Sequence, residues 1–402
     1  MSIAVVSLVL GLISELGRQS FKGPGYQYLS FNDAFFYRAM AVNLGHGPVS
    51  VVQEISSLGL RISSSEFHAF YGGEGFWATH VHAENGLSHQ PPWSYRWLPS
   101  ALVGVLFRLG IPIDLGFLSG FLAGLVLFAC CLFSYLQSST GKSSVAWVVS
   151  LSACVATVAF TSPGYPDMPF LGLSMWAVLA AYKRKTLIFV LASVCAGFTR
   201  ETGVLLAIPW LAAIWVHKDT RAWKFLPAIA PLLSVGIVRL VESAPNSSVD
   251  YLAMLRLSWG GAWPYLLATI AILTAGLVSP LPIRTIVKGA SDRQWKADLG
   301  MWAAGVVWVF VSDAFGLAYT RMLLLALPIM LAPSGWRGAT PRYWLVASSV
   351  ALLGYAAADT LAFRADPPFG QWPWLIVAGV VVGLQILGCR CFTRTRNPVK
   401  EI

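Results

Sequence analysis

The chain has 402 residues, 56% of them hydrophobic and 11% charged, with a net charge of +10. So little charge cannot cover a water-soluble protein of this size, which excludes a soluble fold. Runs such as LSGFLAGLVLFACCLFSYL lack the alternation of an outer-membrane barrel, and most of the Lys and Arg fall in short connectors, so topology accounts for the charge better than a nucleic-acid partner does.

A spanning helix takes roughly 20 apolar residues. The first apolar segment, about 3–17, is short and carries Glu15. No basic residues precede it and no small-residue cleavage site closes it, so it reads as a span rather than a cleavable signal. A long polar stretch follows, 18–92, in which FNDAFFYRAMAVN reads as a helix. The next stretch, PWSYRWLPSALVGVLFRLG (93–111), is interrupted by Arg96 and Arg108, and Pro99 starts a helical turn. Its apolar run is short, so it is predicted to lie on the outer leaflet as an interfacial helix, the alternative being a tight spanning helix that inverts the N-terminus. Spans are then predicted near 114–136, 145–161, 168–182, 186–199, 203–216, 225–241, 264–279, 299–312, 315–332, 343–361 and 373–389, which with the first makes about 12. The expected fold is an all-α polytopic membrane protein, a single integral membrane domain over 1–402. Within it, 18–113 forms a long first extracytoplasmic loop containing interfacial helices, and 390–402 is a cytoplasmic basic tail.

Alternate loops carry the cations: Lys142; Lys183, Arg184 and Lys185; Lys218, Arg221 and Lys224; Arg284, Lys288, Arg293 and Lys296; Arg337 and Arg342. That side is predicted to be cytoplasmic, together with both termini. SPGYPD, FTRETG, the loop 242–263, SDAFG and FRADPPFGQ fall on the other side. A bacterial inner (plasma) membrane is the expected location; in an endoplasmic reticulum Asn246-Ser247-Ser248 would be a glycosylation sequon. Cys130, Cys131, Cys154 and Cys195 lie in apolar segments and Cys389 and Cys391 end the last one, neither a disulfide framework nor a zinc spacing.

Carboxylates at membrane depth are costly, and Asp33, Asp167, Glu201 and Asp313 all map to the outer ends of helices, with Arg200, Tyr319 and Arg321. Such sidedness suggests a site facing a water-filled pocket. Each residue also has a plainer reading. Asp33 opens a helix and would cap it, although it shares a face with Tyr37 at i,i+4. Asp167 precedes a helix with Pro169 in its first turn, a capping signature that Asp114 shares. Arg200 and Glu201 would pair with each other, although a guanidinium at that level also suits a phosphate. Arg321 would snorkel. THVH would set two imidazoles on one strand face, but no adjacent acids or cysteines complete a metal site. His46, His68, His80, His82 and His89 are read as solvated loop residues. The residues demand no cofactor and leave a divalent metal open.

The order of these features resembles the GT-C membrane glycosyltransferases, in particular the branch of protein O-mannosyltransferases and lipid A aminoarabinose transferases. The features are an Asp33 helix after the first span, a Pro-Pro-aromatic helix (Pro91, Pro92, Trp93, Tyr95) and Asp167 opening the fourth span. Arg200 follows between spans five and six, and Tyr319-x-Arg321 opens a later span ending in Leu-Pro. Two departures mark a divergent member: Ala34 stands where that branch has a second acid, and FTRETG replaces a Thr-Lys-Gly run. The resemblance implies transfer of a sugar from a polyprenyl-phosphate donor to a glycan, lipid or protein acceptor, among membrane lipids and without nucleic acid. It implies Asp33 as the catalytic base, and Tyr37, Arg96, Asp167, Arg200, Glu201, Tyr319 and Arg321 as substrate-binding residues. One base and one displacement would invert the anomeric carbon. A transporter or flippase of lipid-linked glycans would place its charges near the midplane on broken helices. A polyprenyl-linked glycan polymerase or ligase would carry its long outer loop late in the chain.

Overall fold

Apolar runs broken by Pro, Gly and short basic connectors dictate helices, and helices form. The computed structural model describes residues 2–22, 34–46, 96–219, 221–241, 293–312 and 319–330. The described residues are helical, with no strand among them. Helix α1 spans Ile3–Lys22, α2 Ala34–His46 and α3 Trp97–Arg108. Four elements follow: α4 Ile113–Thr140, α5 Ser143–Phe160, α6 Asp167–Tyr182 and α7 Thr186–Thr199. The predicted spans 203–216 and 225–241 each open in a 3₁₀ segment, Glu201–Leu206 and Ala222–Ala228, before α8 (Ala207–His217) and α9 (Ile229–Val241). Pro227 lies in the second of these, where it withholds a backbone donor. Helices α10 (Arg293–Ser312) and α11 (Tyr319–Met330) close the described part. The predicted spans 264–279, 343–361 and 373–389 lie outside the described residues.

Two of the described stretches, Ile113–Thr140 and Ala222–Val241, are long and apolar enough to cross a membrane. Helix α3 has 12 residues, about 18 Å at ~1.5 Å per residue, well short of a bilayer core of roughly 30 Å. Helix α1 turns two polar side chains inward and many apolar ones outward. Ser7 and Glu15 are buried, whereas Val5, Leu8, Val9, Leu12, Ile13 and Leu16 are exposed. Water-facing helices show the reverse arrangement.

The chain forms two compact units. The first comprises 1–128, 161–210 and 222–250, and the second 129–160, 211–221 and 251–402. In the first unit α2 and α3 run parallel. Tyr37 meets Arg96 at their starts, and Arg108 Nε donates to Gly45 O (3.1 Å) at their ends. Glycine allows this approach, since a Cβ on Gly104 would sit 2.7 Å from Ala41 O. Helix α6 crosses α4 as closely: a Cβ on Gly124 would lie 2.6 Å from Met168 O, and one on Gly172 2.6 Å from Gly124 O. In the second unit Phe133 packs edge-on to Trp147 at 6.0 Å, and the Arg293 guanidinium lies 5.3 Å from the Trp215 ring centre.

Candidate functional site

The site lies in the first unit, where α2, α3 and α6 begin and α7 ends. Helix α7 stops because Arg200 adopts an extended conformation (φ −161, ψ 146), after which the chain re-enters a 3₁₀ turn at Glu201. Extended backbone sends neighbouring side chains to opposite sides. The expected pairing of Arg200 with Glu201 is therefore replaced by two separate ion pairs. Arg200 Nη1 binds Asp167 Oδ1, with both side chains only 1% exposed. Glu201 Oε2 accepts from Arg96 Nε at 2.9 Å.

Asp167 does not cap. It is the first residue of α6, with Pro166 in the cap position and no capping bond from a side chain, and its carboxylate is spent on Arg200. Arg96 has a second role: Nη1 donates to Tyr37 Oη at 2.7 Å. The Tyr37 ring in turn meets Tyr165 edge-on, with centroids 6.5 Å apart. Two guanidiniums and two carboxylates thus balance in a buried network that has a phenol on one side.

The electrostatics follow from burial and pairing. Arg96 lies at the start of α3, outside the predicted spans. Burial alone would weaken its protonation, but Glu201 and Tyr37 outweigh that and hold it well above its ordinary range. Glu201 lies in the connection between the spans 186–199 and 203–216. Burial would raise its pKa, yet Arg96 and Arg200 hold it below the usual glutamate range. The N-termini of α2, α3 and α6 add positive dipole ends.

The network is recessed. It sits at the start of α6, level with Gly124, which is eleven residues along α4 from Ile113, about 16 Å at ~1.5 Å per residue. Helices α6 and α7, which end at the network, have 16 and 14 residues, about 24 and 21 Å.

Two further features were not expected from sequence: Tyr165 against Tyr37, and the Thr202 hydroxyl. Among the described residues neither Thr202 Oγ1 nor Glu201 Oε1 has a hydrogen-bond partner, although both are buried. Such atoms are costly unless something else bonds to them.

Asp114 sits in the first turn of α4 and pairs with Arg38 at 3.3 Å, apart from the two ion pairs of the site. Asp33, the residue before Ala34, lies outside the described residues, as does Asp313. Tyr319 and Arg321 open α11 in the second unit, and their side chains lie outside the described set. THVH and the other loop histidines lie outside it too. Among the described residues no three His, Cys, Asp or Glu side chains are grouped to hold a metal. Comparison with family models, with characterised proteins and with solved structures found no match.

Proposed function

We propose that the protein is a membrane glycosyltransferase that moves a sugar from a polyprenyl-phosphate donor to an acceptor on the extracytoplasmic face. The observation that carries this reading is the buried, charge-balanced network of Arg96, Glu201, Arg200 and Asp167 around Tyr37, one helical turn beyond Asp33 in sequence. Transfer from a lipid phosphate needs two things of the protein. A base must take the proton of the acceptor hydroxyl, and cations must face a leaving phosphate that is already a stable anion. Asp33 fills the first role. Arg200 serves the second, helped by the positive ends of α2, α3 and α6. Asp167 holds Arg200 in place, and Arg96 holds Tyr37. A single displacement with one base inverts the anomeric carbon. In a bilayer of roughly 30 Å, helices the length of α6 and α7 end below the headgroups, so the donor phosphate is drawn inward, where charge interactions strengthen.

That recess also favours a second reading. A flippase of lipid-linked glycans would keep its charges at such a depth, beside interrupted helices like the 3₁₀–α junction at Leu206–Ala207. One experiment separates the two. The purified protein in lipid nanodiscs is given a panel of radiolabelled polyprenyl-phosphate sugars with glycan, lipid and peptide acceptors. Label in an acceptor supports transfer. Movement of intact donor between leaflets of proteoliposomes, with no labelled acceptor, would reject transfer in favour of translocation.

A further inference from the structure

We infer that the turn joining α6 to α7, with the 3₁₀ segment Ala222–Ala228 beside it, binds the headgroups of anionic phospholipids. The turn reads Lys183-Arg184-Lys185, and all three residues are exposed. Lys185 N bonds to Ala180 O (2.8 Å) and Arg184 N to Ala181 O (3.1 Å), a Schellman turn whose left-handed residue is ordinarily glycine. Here it is Arg184, at φ 56. The second unit repeats the choice: Lys218 stands at φ 55 after α8, with Asp219 N bonded to Ile214 O at 3.2 Å. A cation at a helix C-terminus complements the dipole, but Lys183 and Lys185 already flank the position, so the dipole does not require a strained arginine between them.

The neighbouring segment supplies the apolar half of a headgroup site. Phe189, in the first turns of α7, stacks on Trp210 with centroids 4.7 Å apart, and Trp210 Nε1 donates to Lys224 O at 2.8 Å. This brings the basic turn beside Trp223, Phe225 and Leu226, which are 53%, 42% and 62% exposed. Lys224 Nζ lies 4.0 Å above the Trp223 ring centre. Exposed tryptophan beside clustered cations is the composition that a headgroup layer selects. Charge complementarity names the occupant. Among the described residues neither Arg184 nor Lys185 has an ion-pair partner, and the first unit's described carboxylates, Glu15, Asp114, Asp167 and Glu201, lie outside both stretches.

This inference rests on the bilayer part of the reading above and not on the transfer chemistry. Its test is the thermal midpoint of the purified full chain in nanodiscs of phosphatidylcholine alone or with phosphatidylglycerol added. The wild type gains stability with phosphatidylglycerol. Arg184→Gly relieves the strain and leaves the flanking lysines to hold topology, so its midpoint in phosphatidylcholine is at or above wild type while most of the gain is lost. Trp223→Ala also loses part of the gain. An equal gain in wild type and both variants would overturn the inference, as would a gain of the same size from inorganic phosphate in phosphatidylcholine. A chain that enters no nanodisc would overturn the bilayer reading as well.

Discussion

Arg96 is the residue on which the site's geometry turns, because one guanidinium holds both Glu201 and the Tyr37 hydroxyl. Removing one partner of a buried pair leaves the other charge uncompensated and costs about 3–5 kcal/mol. Arg200→Met and Asp167→Leu are each expected to lose stability on that scale in denaturant or thermal unfolding. The double variant should recover much of the loss without recovering activity, and equal or additive losses would count against a tightly coupled pair. The Arg96–Glu201 pair makes a pH prediction with a definite sign. Glu201 is held below its ordinary 4.5, so its contribution is complete above that pH and is lost as pH falls through the depressed value. The stability difference between wild type and Glu201→Gln should hold steady from neutral pH to about 4.5 and shrink only below it. A difference that faded between pH 7 and 5 would contradict the depressed value. Sequence made the site's membership legible, since Asp167, Arg200 and Glu201 fall at the ends of predicted spans on one side of the chain. It could not show the pairing, because the choice between Glu201 and Asp167 as partner for Arg200 depends on an extended backbone at one residue. Nor did it show Tyr165 or Thr202, which carry no charge to draw the eye.

At the scale of elements, hydropathy delimited the helices well: 186–199 agrees to the residue, and 114–136, 145–161 and 168–182 agree within a few. What hydropathy could not show is how far along α4 the start of α6 lies, because helix length in sequence carries no information about relative depth. The close crossing at Gly124 supplies that information. The parallel pair α2–α3 was likewise hidden, since contacts between residues 59 positions apart leave no periodicity. Its glycine contact is testable. A side chain at Gly104 would strike Ala41 O, so Gly104→Val should cost about 1–3 kcal/mol and lower transfer by displacing Tyr37 from Arg96. Gly120→Ala, where a Cβ meets nothing within 4 Å, should be neutral or gain up to about 1 kcal/mol. Equal effects of the two substitutions in thermal unfolding would reject the close approach.

For the molecule as a whole, buried polar groups and an apolar exterior recur within the first unit. Glu15, Asp167 and Arg200 are buried, while Leu16, Leu191, Leu232, Leu233 and Leu240 are exposed. That inversion, the composition and the two long apolar helices are what a bilayer solvent would select. The transferase reading adds chemistry there, with Asp33 four residues before Tyr37 in sequence. The most direct measurement is the rate of sugar transfer by Asp33→Asn and Asp167→Asn against wild type, with size-exclusion profiles and donor binding measured alongside. With Asp33 as the base, Asp33→Asn keeps its fold and its donor affinity but loses transfer by about 10²–10⁴-fold, and Asp167→Asn loses stability first. Wild-type transfer by Asp33→Asn would remove that residue from the chemistry and contradict the account.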